Sequence, residues 1–347
     1  MEINRTLFGT AADGMPVDRY TLSDGRMTAD VITYGGALQS LRVPDRNGRL
    51  TDVLLGYDSI EAYQAQDKYL GALIGRCANR ISDDGFALNG TVYLLARNSG
   101  PNHLHGGLSG FDRRHWTALE TPTGLVLRYS SADGEEGYPG RLQATVTYAL
   151  ENGAFSIEYR AETDADTLCN LTNHSYFNLA GHGSGAVGDQ TIRLHASQYT
   201  PADANAVPTG KIAPVDGTPM DLREEQPIGA HWDDAFEQLA FAGGYDHNWV
   251  IDGKSGVLRP TAEAYCTQTG IHMEVHSTQP GVQFYTGNFL DAEMPLGKGG
   301  VRYGRRHGFC LETQCFPDAV HHPNFPQPIL RAGHTYHQKT VYRFFSR

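Results

Sequence analysis

A histidine at position 174 lies in a stretch whose residue types suit chemistry better than core packing. The stretch is TNHSYFNLAG, residues 172–181, in which Asn173 and Ser175 flank the histidine and two aromatic residues follow it. Amide and hydroxyl groups can hold an imidazole ring in place, and the unperturbed pKa of imidazole lies near neutrality. The pattern therefore suits a histidine that exchanges protons or hydrogen bonds with a ligand.

Four further clusters mix His, Asn, Arg or a carboxylate with glycine and aromatic residues. Taken singly, such residues are more often structural: Arg80 could form a surface ion pair, His105 could lie in a turn, and Asp246 could cap an element. Taken together, they provide an acid–base set and several donors suited to sugar hydroxyls, without a phosphate-binding loop or a metal-spaced triad. The clusters are GRCANRIS (75–82), NHLHGGLSGFD (102–112), GGYDHN (243–248) and the run from QPGVQFYTGN to LETQCFPDA (279–319).

The elements that must position these clusters are mainly strands. Apolar and polar residues alternate in LQATVTYAL (142–150) and in AFSIEYRAE (154–162), and an Asn-Gly turn joins the two segments as in an antiparallel hairpin. Similar alternation marks 125–131, 270–277 and, interrupted by two glycines, 28–45. Helical patterns are short, around 59–66 and 231–239. We therefore predict an all-β fold, a large antiparallel β-sandwich with a few short helices, formed as one domain over residues 1–347. The polar clusters are expected at its strand ends and loops.

Charge and cysteine content narrow the possible partners and the compartment. The formal net charge of −11 argues against nucleic acid and anionic membrane as partners and leaves a neutral small molecule open. Five cysteines, an odd number without zinc spacing, indicate free thiols in a reducing compartment. The first residues lack the pattern of a signal peptide, and no run of 18 apolar residues occurs. We expect a cytoplasmic protein, either a monomer or a weak dimer.

The clusters, in their order along the chain, resemble the aldose 1-epimerase family, also called galactose mutarotases. The resemblance rests on GRCANRI, LHGG, TNHSYFNL, YDHN, QPGVQFYTGN and LETQ, and it covers essentially the whole chain. It implies a galactose mutarotase-like sandwich with a sugar cleft. It also implies an isomerase that interconverts the α and β anomers of free hexoses such as galactose and glucose, without a cofactor or metal.

The resemblance also implies roles for individual residues. Glu312 in LETQ matches the family's general base, and His174 matches its general acid. One position departs from the family: His321 stands where Asn is usual, beyond the base. Residues matching sugar-binding positions, or expected beside the sugar, are Asn79, Arg80, His105, Tyr176, Asp246 and Gln283, with Phe177 and Phe284 as further aromatic walls.

Other readings of the same residues remain open at this level. A glycosidase would pair two carboxylates, for which Asp246 and Glu312 are candidates. A non-catalytic sugar-binding or regulatory protein could use the same fold. A hexose-6-phosphate 1-epimerase would need basic residues at the cleft mouth, such as Arg76 and Arg80. A metal site could be assembled from several histidines, although their spacing does not support one. These are His103, His105, His321 and His322.

Overall fold

The computed structural model describes residues 1–347 and consists mainly of antiparallel strands. The largest sheet has nine strands and contains the predicted hairpin, with Val146 opposite Tyr159. In spatial order its strands are Thr117–Thr121, Gly124–Ser131, Leu142–Glu151, Ala154–Thr163, Thr335–Ser346, Ile271–Ser277, Arg259–Tyr265, Thr191–Leu194 and Gln226–Pro227.

Two further sheets carry the rest of the framework. A five-stranded sheet follows chain order: Glu2–Thr10, Pro16–Ser23, Thr28–Ile32, Leu38–Pro44 and Leu50–Asp52. A six-stranded sheet assembles distant segments in the order Tyr176–Phe177, Phe309–Gln314, Gly281–Tyr285, Asp246–Val250, Gln198–Thr200 and Ala213–Pro214. Four short pairs complete the strands: Leu73–Ile74 with Thr172–Asn173, Arg80–Ile81 with His103–Leu104, Gly85–Leu88 with Thr91–Leu94, and Thr167–Leu168 with Ile329–Leu330.

One large apolar core joins the sheets. The alternating residues of the hairpin, such as Val146 and Ile157, are fully buried and share this core with Val31 of the five-stranded sheet and with Trp249 and Phe284 of the six-stranded sheet. Burial of the apolar face of each sheet is the main stabilising contribution to such a sandwich. The predicted all-β sandwich is confirmed.

Helical segments are few. The helix predicted around 59–66 spans Ile60–Ala65, and Ser59 caps it by accepting from the amide N–H of Ala62 at 3.3 Å. The second helix spans Glu237–Ala242, later than the predicted 231–239, because the residues before it form turns, including an N–H of Asp234 donated to the carbonyl of His231. Neither helix has the length and apolar composition that crossing a membrane requires. Single 3₁₀ turns occur at Phe111–Arg113, Glu135–Gly137, Lys298–Gly300 and Ala319–His321.

Candidate active site

The six-stranded sheet carries polar residues on one face and core residues on the other. Gln283 lies opposite Glu312, and Asp246 lies opposite Tyr285, so their side chains are neighbours across adjacent strands. The intervening residues, such as Phe284, point into the core. Gln283 and Glu312 lie inside their strands, so the expectation of strand ends and loops is wrong for VQFY and LETQ. Asp246 is the first residue of its strand, so the expectation of a strand end holds for YDHN.

The backbone of His174 is fixed between two short strands. Its N–H donates to the carbonyl of Ala72, and its carbonyl accepts from the N–H of Gly71, both at 2.9 Å. Asn173 donates to the Gly71 carbonyl at 2.7 Å, and the hydroxyl of Ser175 donates to Oδ1 of Asn173 at 2.5 Å. The polar neighbours that stand out in the sequence thus hold the main chain of His174 rather than its ring.

The ring of His174 is held by aromatic residues and a thiol. It stacks on Tyr176 and on Tyr69, at centroid distances of 4.9 and 5.8 Å. Its Nδ1 lies 3.5 Å from Sγ of Cys310, and its Nε2 lies 3.6 Å from Oε1 of Glu312. The second nitrogen of the imidazole is therefore the one that faces the carboxyl group.

His105 is oriented by the backbone of a second short strand pair. The N–H of Asn79 donates to Nδ1 of His105 at 3.2 Å, and the N–H of His105 donates to the carbonyl of Asn79 at 3.0 Å. Both residues adopt left-handed backbone conformations, with φ of 61° and 51°, which non-glycine residues adopt mainly where the surroundings impose them. Because Nδ1 accepts a hydrogen bond, the proton of the neutral ring must reside on Nε2.

These segments converge on a cavity of about 160 Å³. Seven of the eight site residues proposed from the sequence line it; the exception is Gln283. The amide of Gln283 donates to Oδ1 of Asp246 at 2.7 Å and its carbonyl accepts from Gln314 at 3.1 Å, so it supports Asp246 from beneath. The lining residues are Asp67, Lys68, Tyr69, Asn79, Arg80, Leu104, His105, His174, Tyr176, Asp246, Tyr285, Phe289 and Glu312.

The aromatic walls differ from those expected. Phe177 and Phe284 belong to the core on the opposite face of the sheet, so the expectation that they contact a ligand is wrong. Tyr69, Tyr285 and Phe289 form the wall with Tyr176. Tyr285 was detectable from the sequence, because it lies two residues beyond Gln283 in a strand and so shares its face. Nothing local in the sequence marks Tyr69.

Burial drives both His174 and Glu312 towards their uncharged forms. It lowers the pKa of His174 to about 4, away from the near-neutral value that the sequence argument assumed. Burial, and then the nearby Asp246, raise the pKa of Glu312 well above its usual range, while Arg80 acts in the opposite direction. Burial therefore favours the form of the pair in which Glu312 is protonated and His174 is neutral. Oε2 of Glu312 is buried and has no hydrogen-bond partner in the protein.

His105, His174 and Glu312 bring their ligand atoms within 4.8 Å of one another, a spacing that could hold a metal ion. The donor chemistry does not fit one. Histidines that bind metal through one nitrogen normally donate a proton from the other, whereas Nδ1 of His105 accepts from a backbone N–H and leaves Nε2 protonated. This cluster is thus suited to donate hydrogen bonds to oxygen atoms.

The four histidines considered for a metal site from the sequence are divided among different environments. His103 contacts the carbonyl of Ala96 and the hydroxyl of Tyr138, and His105 lies in the cavity. His321 and His322 both lie against Asp318. Only His321 and His322 share a partner, so the four side chains do not come together at one site.

Comparisons with known proteins identify the family of this chain. A family model described as aldose 1-epimerase matches residues 18–343. The chain is 43% identical to the galactose mutarotase of Bos taurus over 345 residues, covering 99% of each chain. It is 36% identical to the aldose 1-epimerase of Escherichia coli (strain K12), covering 97% of each.

Solved structures show the same fold. A GalM/aldose epimerase homologue from C. elegans superposes with a TM-score of 0.86 at 30% identity, covering 94% of this chain and 98% of that one. A galactose 1-epimerase from Lactobacillus acidophilus also gives 0.86, at 25% identity, covering 100% and 99%. The family resemblance seen in the sequence motifs is thereby confirmed, and the chain belongs to the aldose 1-epimerase family of isomerases.

Proposed function

We propose that this protein interconverts the α and β anomers of free hexoses such as galactose and glucose. The observation that carries the proposal is the direct approach of Nε2 of His174 to Oε1 of Glu312, 3.6 Å apart, inside a cavity lined by hydrogen-bonding groups and aromatic rings. An anomeric exchange needs two proton-transfer groups and no electron acceptor or leaving group, and this cavity provides that pair.

In the proposed reaction, Glu312 removes the proton from the anomeric hydroxyl while His174 gives its Nε2 proton to the ring oxygen. The bond between C1 and the ring oxygen breaks, and the open-chain aldehyde rotates about the C1–C2 bond. The ring oxygen then attacks the other face of C1, returning its proton to His174, while protonated Glu312 returns a proton to the new anomeric oxygen. Both groups are restored, so the cycle consumes nothing.

The reactive form requires Glu312 as carboxylate and His174 as imidazolium. This form carries the same number of protons as the form that burial favours, in which Glu312 is protonated and His174 is neutral. The guanidinium of Arg80 favours the carboxylate, and sugar hydroxyls that donate to the free Oε2 of Glu312 favour it further. Substrate binding thereby supports transfer of the proton to His174.

Other lining residues would bind the sugar. Nε2–H of His105 and the guanidinium of Arg80, whose Nε has no partner in the protein, can donate to sugar oxygens. Asp246, held by Gln283, can accept from a ring hydroxyl. The rings of Tyr69 and Tyr176 offer apolar surface to sugar C–H groups.

A free hexose fits the cavity better than a hexose phosphate. Arg76, one of two basic residues considered for a phosphate at the cleft mouth, is buried and donates to the carbonyls of Gly140, Pro139 and Ala132 instead. Lys68 lies 3.0 Å from Asp67 and 3.6 Å from Asp291, so its charge is already compensated. The presence of both an acid and a base also favours an enzyme over a non-catalytic sugar-binding protein.

We further propose a cytoplasmic protein that acts as one domain, as a monomer or weak dimer, without nucleic-acid or membrane partners. All five cysteines are free thiols, which supports a reducing compartment. The acidic net charge of −11 supports a small neutral ligand over a polyanion.

Polarimetry of freshly dissolved α-D-galactose and α-D-glucose tests the proposal. Glu312→Gln and His174→Asn should each lower kcat by roughly 10²–10⁴, because each removes one proton-transfer group. The matched control is Glu158→Gln, which removes a carboxylate from the nine-stranded sheet, where it pairs with Arg160 and His337. Near-wild-type turnover in Glu312→Gln would place the base elsewhere.

A further inference from the structure

A buried thiol beside the catalytic pair has no part in the reaction as described above. Cys310 is fully buried, and its Sγ lies 3.5 Å from Nδ1 of His174, the only hydrogen-bond partner of either atom in the structure. Cys310 also precedes Glu312 by two residues in the strand Phe309–Gln314, so both side chains point to the same face of the sheet.

We propose that Cys310 is a positioning residue that holds the Nδ1 proton of His174, leaving Nε2 as the nitrogen that exchanges protons with the sugar. The inference rests on the proposed role of His174 as the acid. In the imidazolium both ring nitrogens carry protons, so Nδ1–H donates to Sγ while Nε2–H faces Glu312 and the cavity. After Nε2 gives up its proton, Nδ1 retains its own.

This arrangement requires an acceptor at Nδ1, and sulfur supplies a weak and uncharged one. A carboxylate in the same place would stabilise the imidazolium and raise its pKa, as carboxylates do beside histidine. A neutral thiol orients the ring without that stabilisation, so the imidazolium remains a strong acid towards the ring oxygen.

The same strand thus sets the position of both reacting groups. Residues two apart in a strand are separated by about 7 Å along it, a fixed spacing. Cys310 aligns the ring of His174 through Nδ1, and Glu312 faces Nε2 of the same ring. The gap between acid and base is then set by one rigid element rather than by two independent loops.

Two substitutions of Cys310 distinguish positioning from space filling. Cys310→Ser keeps a hydrogen-bonding group, whereas Cys310→Val keeps apolar volume without one. Loss of one hydrogen bond to the acid should lower kcat about 3- to 10-fold in Cys310→Val with little change in KM, and Cys310→Ser should keep kcat within about 3-fold of wild type. If Cys310 only fills space, the order reverses, because a hydroxyl buried among apolar groups is the poorer packing substitute.

The ring ¹⁵N chemical shifts of His174 test the inference without reference to turnover. In the wild type and in Cys310→Ser, the neutral ring should carry its proton on Nδ1, and in Cys310→Val the Nε2-protonated tautomer should increase. An Nε2-protonated ring in the wild type overturns the proposal. Absence of mutarotation by the wild type would instead refute the proposed function while the ¹⁵N result still stands.

A second buried cysteine provides the control. Cys169 is buried in the main core and is not among the residues that line the cavity. Cys169→Ser and Cys169→Val should leave both the tautomer of His174 and the KM unchanged. A change in kcat in these variants equal to that at Cys310 would assign the effect to general packing and overturn the proposal.

Discussion

We predict that activity persists to an unusually low pH, because burial lowers the pKa of His174. The reactive form of the His174–Glu312 pair contains one proton, so acid inactivates the enzyme when His174 takes up a second one and no base remains. Burial lowers the pKa of His174 to about 4. On the acid side, kcat/KM should therefore fall to half its maximum only near pH 4.

An unburied histidine would behave very differently. With the ordinary imidazole pKa of about 6.5, the active fraction at about pH 5.5 would already be roughly tenfold lower, whereas a pKa of about 4 leaves it almost unchanged. On the alkaline side, activity should fall only above the usual range of a carboxylic acid, because the raised pKa of Glu312 sets that limb.

The assay is polarimetry of α-D-galactose at concentrations below KM, corrected at each pH for spontaneous mutarotation. Circular dichroism at each pH checks that the protein remains folded. A half-maximal kcat/KM near pH 6.5 with intact structure would refute the argument from burial. That result would mean that water reaches His174 even when no substrate is bound.

Two further predictions concern residues that support the site. His247 is buried next to Asp246 in the same strand, and burial lowers the pKa of His247 to about 4. As the pH falls from about 6.5 to 4, His247 therefore becomes protonated in the unfolded chain but stays neutral in the folded one. Protonation of His247 in the unfolded chain should thus lower the free energy of unfolding of the wild type by about 3 kcal/mol over this pH range. In urea unfolding at pH 7 and pH 4.5, His247→Gln should lose less stability than the wild type. An equal loss in the two proteins would exclude the effect. Gln283→Met leaves Asp246 without its donor, so KM should increase several-fold while kcat changes less, at a stability cost of about 1–3 kcal/mol. An unchanged KM would show that Asp246 does not need this support.

Period-two alternation was sufficient to predict the sandwich but misplaced part of the site. The hairpin of residues 142–162 was predicted correctly because one face of its sheet is buried and the other is exposed. The six-stranded sheet is buried on both faces, one against the core and the other under the loops that carry Tyr69 and His105. In such a sheet, polar side chains such as Gln283 and Glu312 lie inside strands and are covered by loops instead of facing solvent.

The case of Gln283 shows a second limit of sequence reasoning. Its place in a family motif suggested a sugar ligand, yet its amide is used by Asp246 on one side and Gln314 on the other. A motif identifies which residues matter, whereas only the hydrogen-bond network distinguishes a residue that touches the ligand from one that supports it. Tyr69 is the opposite case: it lines the cavity although no sequence motif indicates it, because a loop places it there.

The sequence alone determined the chemical groups available to this protein: a histidine, a glutamate, and donors and acceptors for a hydroxyl-rich ligand, placed on an all-β framework by alternating strands. Which nitrogen of His174 faces Glu312, which aromatic rings form the wall, and where the proton of the pair resides were decided by the tertiary structure. The reason is that orientation and pKa depend on the atoms around a side chain, and here those atoms come from segments as far apart in the chain as Tyr69 and Glu312.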